Sequence, residues 1–212
     1  MQSFTEKEMR HYIIGAGGHA TVINDMAINQ NFKINGVFID KDVKNITGLV
    51  DIDTIDKISQ YDGEFLLAFG NIAARKRIVT NPDNINIKWF SLIDKRAIIA
   101  KDVTIGVGTV VMPGAIINAG AVIGNHVIIN SGAIIEHNTV IGDYTHISPG
   151  AVLCGNTIVG EGTWIGAGST VINEIEIGSN VIVGAGSVVI RNIEDDKKIV
   201  GVPAREIKVY RK

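Results

Sequence analysis

The chain has 212 residues, enough for one large domain or two small ones, and its 46% hydrophobic and 20% charged content is that of a soluble globular protein. A net charge of −2 gives no general attraction to nucleic acid or anionic membrane, and no apolar run approaches the ~20 residues that span a bilayer. The polar start from Met1 to Arg10 carries no secretory pattern, and Cys154 stands alone, so an intrachain disulfide is excluded and a cytoplasmic setting is expected.

Residues 11–15 (HYIIG) read as a strand running into Gly15-Ala16-Gly17-Gly18-His19-Ala20. A helix is expected from Thr21 to Asn29, with Val22, Ile23, Met26 and Ala27 on its apolar face. A second strand, Ile34 to Asp40, ends in an acid. A third spans Glu64–Gly70, a helix follows near Ile72–Val79, and a short strand is expected at Lys88–Ser91. The glycines fit G-x-G-x-x-A, the phosphate-binding turn of a βαβ unit, and Asp40 lies near the place of a ribose-binding acid. Such a loop at a helix N-terminus attracts phosphate oxygens through backbone N–H groups. A structural turn and an NAD site are the alternatives. Only about ninety residues precede the next segment, half of a dinucleotide fold, and half a fold suits one nucleotide diphosphate carrying something else.

From Ile93 the sequence repeats every six residues. Seventeen positions, from Ile93, Ile99 and Ile105 through to Val183 and Val189, are aliphatic without a slip. Gly106, Gly124, Gly142, Gly160 and Gly178 recur every eighteen, which means a triangular coil of three short strands and three corners. Small residues such as Ala115, Ala133, Thr139 and Ser169 sit four beyond the aliphatic one, where a tight corner needs them. An α-helix cannot keep a six-residue spacing on one face. Glycine at 24 residues with only 4 prolines and 6% aromatics fits the same narrow repetitive core. Each coil must stack on another to bury its aliphatics. The period does not fix the hand of the coil.

Five histidines interrupt these patterns. His11 opens a strand and reads as structural, His19 sits inside the glycine loop, and His126 has no assignment. His137 and His146 lie within ten residues of each other, near Asn130 and Glu136. A transferase acting on an amine or hydroxyl needs a base with a pKa near neutrality, and imidazole meets that need. A metal site is the competing idea. His126, His137 and His146 occupy different phases of the hexad and form no pair with ligand spacing, so no metal is expected.

Gly15-Ala16-Gly17-Gly18-His19, Asp40, Gly70-Asn71 with Arg75, Asn130, Glu136-His137, His146-Ile147-Ser148-Pro149-Gly150 and Gly201-Val202-Pro203-Ala204 together resemble the bacterial sugar acetyltransferases, both UDP-4-amino-sugar N-acetyltransferases and sialic acid O-acetyltransferases. The resemblance runs from about His11 to about Ile207. It implies a Rossmann-like α/β half-domain over 1–92, an all-β left-handed parallel β-helix over 93–194 and a C-terminal cap segment over 195–212. It implies a homotrimer with acetyl-CoA bound between adjacent β-helices. By position His137 is the general base, Asn130 helps to orient it, and Glu136 shares the electrostatic assistance. His146 lines the acetyl site, Gly155 offers a backbone N–H to the thioester oxygen, and Gly201, Val202, Pro203 and Ala204 form a CoA-contacting turn. Gly15, Gly17, Gly18, His19, Asp40, Asn71 and Arg75 are expected to meet the nucleotide sugar. The chain departs from the pattern at Asn138 and Lys41, where relatives often carry acids.

The expected activity is acetyl-CoA-dependent N-acetylation of a nucleotide-linked amino sugar, with a UDP-4-amino-4,6-dideoxy sugar favoured. Sugar O-acetylation, a non-catalytic nucleotide-sugar-binding scaffold and NAD chemistry are the rivals. Polysaccharide biosynthesis is the setting, with no nucleic acid and no membrane insertion.

Overall fold

The computed structural model describes residues 9–41 and 43–207. They form two compact units: one runs up to Phe69 and takes in Val79–Phe90, the other comprises Gly70–Ile78 and the chain from Ser91 onward.

The first unit is a parallel five-stranded sheet. Its strands are β1 (His11–Ile14), β2 (Gly36–Ile39), β3 (Asp51–Thr54), β4 (Glu64–Leu67) and β5 (Lys88–Trp89), in the order β3-β2-β1-β4-β5. The order reverses beside β1, and ligands of such sheets bind at the carboxyl ends of the strands at that switch. Tyr12, Ile13, Ile14, Val37, Phe38, Phe65 and Leu66 are buried at its centre. Helix α1 (Gly18–Asn29) starts three residues earlier than its apolar pattern suggests. It buries Ala20, Ile23, Met26 and Ala27, while Val22 is 38% exposed, off the face expected to carry it.

Strand β3 escapes sequence reading because Asp-Ile-Asp-Thr has poor strand propensity. It survives as an edge strand, bulged against β2. Its Asp53 carboxylate accepts from the Thr54 N–H, the Lys57 ammonium at 2.9 Å and the Tyr61 hydroxyl at 3.0 Å. Those donors, Lys57 first, hold the carboxyl at about 2.

The second unit is a parallel β-helix. Two-residue strands recur every six residues and stack into three sheets, one per face. The first face runs from Leu92–Ile93 to Ile182–Val183, the second from Ile98–Ile99 to Val188–Val189, and the third from Thr104–Ile105 to Glu176–Ile177. In each strand the second residue points inward: Val111, Ile117, Ile135, Ile147, Leu153 and Ile165 are fully buried. Each buried aliphatic contributes roughly 1.5–3 kcal/mol relative to exposure. Backbone groups pair one coil on, as in Val110 N–H to Val127 O at 2.9 Å and Ile134 N–H to Ala151 O at 2.9 Å. At the first rung Ile93 stays 38% exposed, because a terminal coil has one stacking neighbour.

The corners need left-handed backbone. Between the first and second faces it is supplied by Gly114, Gly132, Gly150, Gly168 and Gly186. The other two corners mix glycine with side chains: Gly108, His126, Tyr144, Gly162 and Asn180 at one, Gly120, Asn138, Asn156 and Glu174 at the other. At the far end Lys198–Val200 joins the first face in parallel, and Arg205–Glu206 folds back on it antiparallel.

Helix α2 (Ile72–Val79) belongs, up to Ile78, with the β-helix. Asn71 caps it: its Oδ1 accepts from the Ala74 N–H at 2.9 Å. Arg75, 1% exposed, fixes the helix to one corner. Its Nη2 donates to Tyr144 O at 2.6 Å and its Nη1 to His126 O. Burial pushes the guanidinium down to about 10. Lys76 pairs with Glu161 at 2.5 Å and lies 5.9 Å over the Tyr144 ring.

Candidate functional site

The glycine loop follows β1 and opens α1. Gly15, at φ +107°, is in a conformation that favours glycine, and a Cβ there would come within 2.9 Å of the Phe69 ring. Gly17 and Gly18 have nothing among the described residues within 4 Å of a Cβ position, so no side chain crowds that side of the loop. No side chain caps α1 at Gly17, and its first turn holds no acid. That end therefore presents backbone donors suited to an anion. His19 is half-buried in the first turn and Ala20 is fully buried, which allows close packing of helix on sheet. Asp40 is exposed just past β2, its carboxylate accepting from the Lys41 N–H at 2.8 Å.

In the β-helix the remaining candidates form two clusters. The first centres on His137, exposed at the corner between the second and third faces. Its ring lies over the buried backbone of Gly155, one coil on. A Cβ on Gly155 would stand 2.5 Å from both Cε1 and Nε2 of the imidazole. Only glycine leaves room for that ring. Asn138 Nδ2 is 3.3 Å from His137 Nδ1 and 3.3 Å from Asn156 Oδ1. Asn138 and Asn156 both hold left-handed corner backbone, which asparagine tolerates better than glutamate does. The Asn138 departure from the family pattern therefore sits where the corner favours it. Glu136 is half-buried, and among the described residues no hydrogen bond joins its carboxylate to the His137 ring.

The second cluster centres on His146, which opens a strand of the first face between Ile128 and Trp164. Asn130 Nδ2 lies 3.1 Å from its Nε2. The Trp164 indole stacks on it, centroids 6.0 Å apart and planes within 8°, and donates from Nε1 to Ser148 Oγ at 2.8 Å. A Cβ on Gly70 would be 3.4 Å from Cε1 of His146, so the capped start of α2 lies beside this ring.

Two expectations change here. Asn130 pairs with His146, not with His137, because it directly follows a strand of the same face one coil earlier. Arg75 is spent on corner carbonyls and is nearly inaccessible, which makes it an anchor for α2 in place of the expected sugar ligand. His126, unassigned by sequence, is 4% exposed, stacks on Tyr144 at 5.4 Å and fills the space over Gly108. Burial, with Arg75 beside it, pushes its pKa down to about 4. Trp164 is not among the residues the sequence singles out, and Ser148 enters only within the motif from His146 to Gly150. The eighteen-residue period, which sets Trp164 next to His146, was the signal that could have found them.

Gly201, Val202, Pro203 and Ala204 turn between the last two strands, beside the start of the last second-face strand. Gly201 N–H donates to Ser187 Oγ at 3.1 Å and Ala204 N–H to Val188 O at 2.8 Å, with Val202 71% exposed. Among the described residues no group of three or more His, Cys, Asp or Glu could hold a metal, and no helix is long and apolar enough to cross a membrane.

Two family models match the chain: the PglD N-terminal domain over residues 11–81, and the bacterial transferase hexapeptide (six repeats) over 120–155 and 156–191. A histidine-to-asparagine mutant of perosamine N-acetyltransferase from Caulobacter crescentus, solved with CoA and GDP-perosamine, superposes with a TM-score of 0.89 at 28% identity, covering 96% of this chain and 99% of that one. The acetyltransferase domain of PglB from Neisseria gonorrhoeae, solved with acetyl coenzyme A, superposes at 0.86 with 31% identity, covering 95% and 100%. A curated relative, the uncharacterized protein L142 of Acanthamoeba polyphaga mimivirus, is 33% identical over 111 residues; the match spans 51% of this chain and 22% of that protein. The β-helix is left-handed, as in these acetyltransferases. The chain belongs to the bacterial sugar acetyltransferases of the left-handed β-helix class.

Proposed function

We propose that the protein transfers the acetyl group of acetyl-CoA to the amino group of a nucleotide-linked amino sugar. The observation that carries this reading is the seating of His137 on Gly155, which sets an exposed imidazole directly against a glycine backbone. The neutral amine attacks the thioester carbonyl, His137 takes the amine proton, and the CoA thiolate leaves. The Gly155 N–H serves the developing oxyanion. The glycine loop at Gly15, Gly17 and Gly18, with His19 and Asp40, serves the nucleotide diphosphate, its uncrowded backbone and uncapped helix end suiting phosphate. Gly201 to Ala204 contact CoA.

A homotrimer completes the site. His137 occupies the corner between the second and third faces, whereas His146 lies on the first face, on the opposite side of the triangular coil. One acyl group can meet both rings only between two copies. The third face carries an aliphatic stripe suited to such packing: Val122 is 43%, Val140 38% and Ile158 43% exposed. The lone Cys154 and the need for acetyl-CoA fit a cytoplasmic enzyme of polysaccharide biosynthesis.

The test is CoA release from acetyl-CoA with 4-amino-4,6-dideoxy sugars on UDP, GDP and dTDP, alongside hydroxyl acceptors. Turnover is expected with an amino sugar, UDP-linked first. Turnover confined to hydroxyl acceptors, or none with any sugar, overturns the reading.

A further inference from the structure

Residues 43–50, which lead from β2 to β3, are pinned along their length yet leave aliphatic side chains bare. Asn45 holds the centre. Its amide oxygen accepts from the Thr47 N–H at 2.9 Å and the Thr47 hydroxyl at 2.7 Å, and its amide nitrogen donates to Leu49 O at 2.8 Å. The Thr47 hydroxyl in turn accepts from the Leu49 N–H at 3.1 Å. Further bonds tie this segment to α1 and to the glycine loop. Asn24 Nδ2 donates to Thr47 O at 3.1 Å, and the Ile46 N–H donates to Ala16 O at 3.1 Å. Thr21 Oγ1 lies 3.5 Å from Ile46 O and 3.4 Å from Gly17 O. Both backbone groups of Ile46 are thus engaged by the segment from Ala16 to Thr21, while the residue stays 56% exposed. The polar Thr47 beside it is the buried one, at 7%. Val43, whose N–H turns back to Asp40 O at 3.0 Å, is 43% exposed.

The order of groups along a nucleotide gives this bare side chain a use. A nucleoside diphosphate whose phosphates meet the uncapped start of α1 reaches Asp40, past the end of the adjacent strand, with its ribose. The base then lies beyond Asp40, over residues 43–46. A nucleobase offers a flat face of low polarity. Apolar side chains already held in place take such a face without the entropic cost of ordering a loop. Ile46 is the aliphatic residue of this segment that is bonded to the glycine loop itself.

We propose that Ile46 is the nucleobase contact of the nucleotide site, with Asn45 and Thr47 as the residues that position it. The proposal rests on the nucleotide-sugar reading above and adds to it the side chain that carries affinity for the base.

The test uses the full chain with isotope-labelled isoleucine methyl groups and UDP, GDP and dTDP as probes. The Ile46 δ-methyl signal is identified by its loss in Ile46→Val. With each diphosphate that binds, nuclear Overhauser contacts are expected between that methyl group and the carbon-bound protons of the base. Contacts to the ribose alone, or to no part of the nucleotide, overturn the proposal. Calorimetry is expected to give Ile46→Ser a Kd about tenfold above the wild-type value for the same diphosphate, with Tm unchanged because Ile46 is exposed. An unchanged Kd overturns the proposal as well, and the wild-type spectrum decides alone if the serine variant does not fold. A protein that binds none of the three diphosphates contradicts the nucleotide-sugar reading and the base contact with it. A diphosphate that binds without contact to Ile46 removes the base contact and leaves that reading standing.

Discussion

His126 shows what a corner does to a single side chain. It is held in left-handed backbone, stacked on Tyr144, and kept neutral by burial, with its pKa pushed from 6.5 to about 4. Between those values the unfolded chain binds a proton that the folded chain refuses. Stability therefore rises with pH through this window. Above about 6.5 the penalty is absent, and it grows to at most about 3 kcal/mol as pH falls towards 4. The Tm of the wild-type protein is expected to drop more steeply over that range than that of His126→Asn, since asparagine tolerates the same backbone and carries no proton. Equal slopes would contradict the burial argument. Single residues were unevenly legible in the sequence. His137 is legible because it interrupts a strict repeat, whereas Gly155 is reached only through the family resemblance. The partner of Asn130 is not legible, because pairing across coils depends on which face each side chain leaves.

Among the elements, α2 is a strap. The sequence places a helix near Ile72–Val79, but nothing in it assigns that helix to the β-helix. The deciding residue is Arg75, whose two donors meet carbonyls at successive coils of one corner. Arg75→Met leaves those carbonyls short of partners at a cost of about 2–4 kcal/mol. A lower unfolding temperature is expected, together with reduced turnover as Gly70 shifts beside His146. A raised KM for the sugar with unchanged Tm would restore the ligand role for Arg75. Strand β3 was hidden for a different reason. Two aspartates among four residues argue against a strand, and the donors that satisfy Asp53 (Lys57 and Tyr61) come from the segment that follows it.

At the scale of the whole molecule the six- and eighteen-residue periods make the three faces legible in the sequence, because aliphatic spacing and corner chemistry agree along its length. Assembly was not legible in this way. The trimer proposed above rests on the placement of His137 and His146 on opposite sides of the coil, which the period alone does not link to chemistry. Sedimentation is expected to show a trimer for the wild-type chain and monomers for Val140→Glu, which puts a charge into the exposed stripe. A variant that stays trimeric contradicts the use of that face. The central claim is that an acyl group is transferred at His137. Its most direct test pairs turnover with binding in His137→Ala. CoA release in the presence of the amino sugar is expected to fall by about 10²–10⁴-fold, while calorimetry still detects acetyl-CoA binding. Turnover within a few-fold of the wild-type rate would contradict the account.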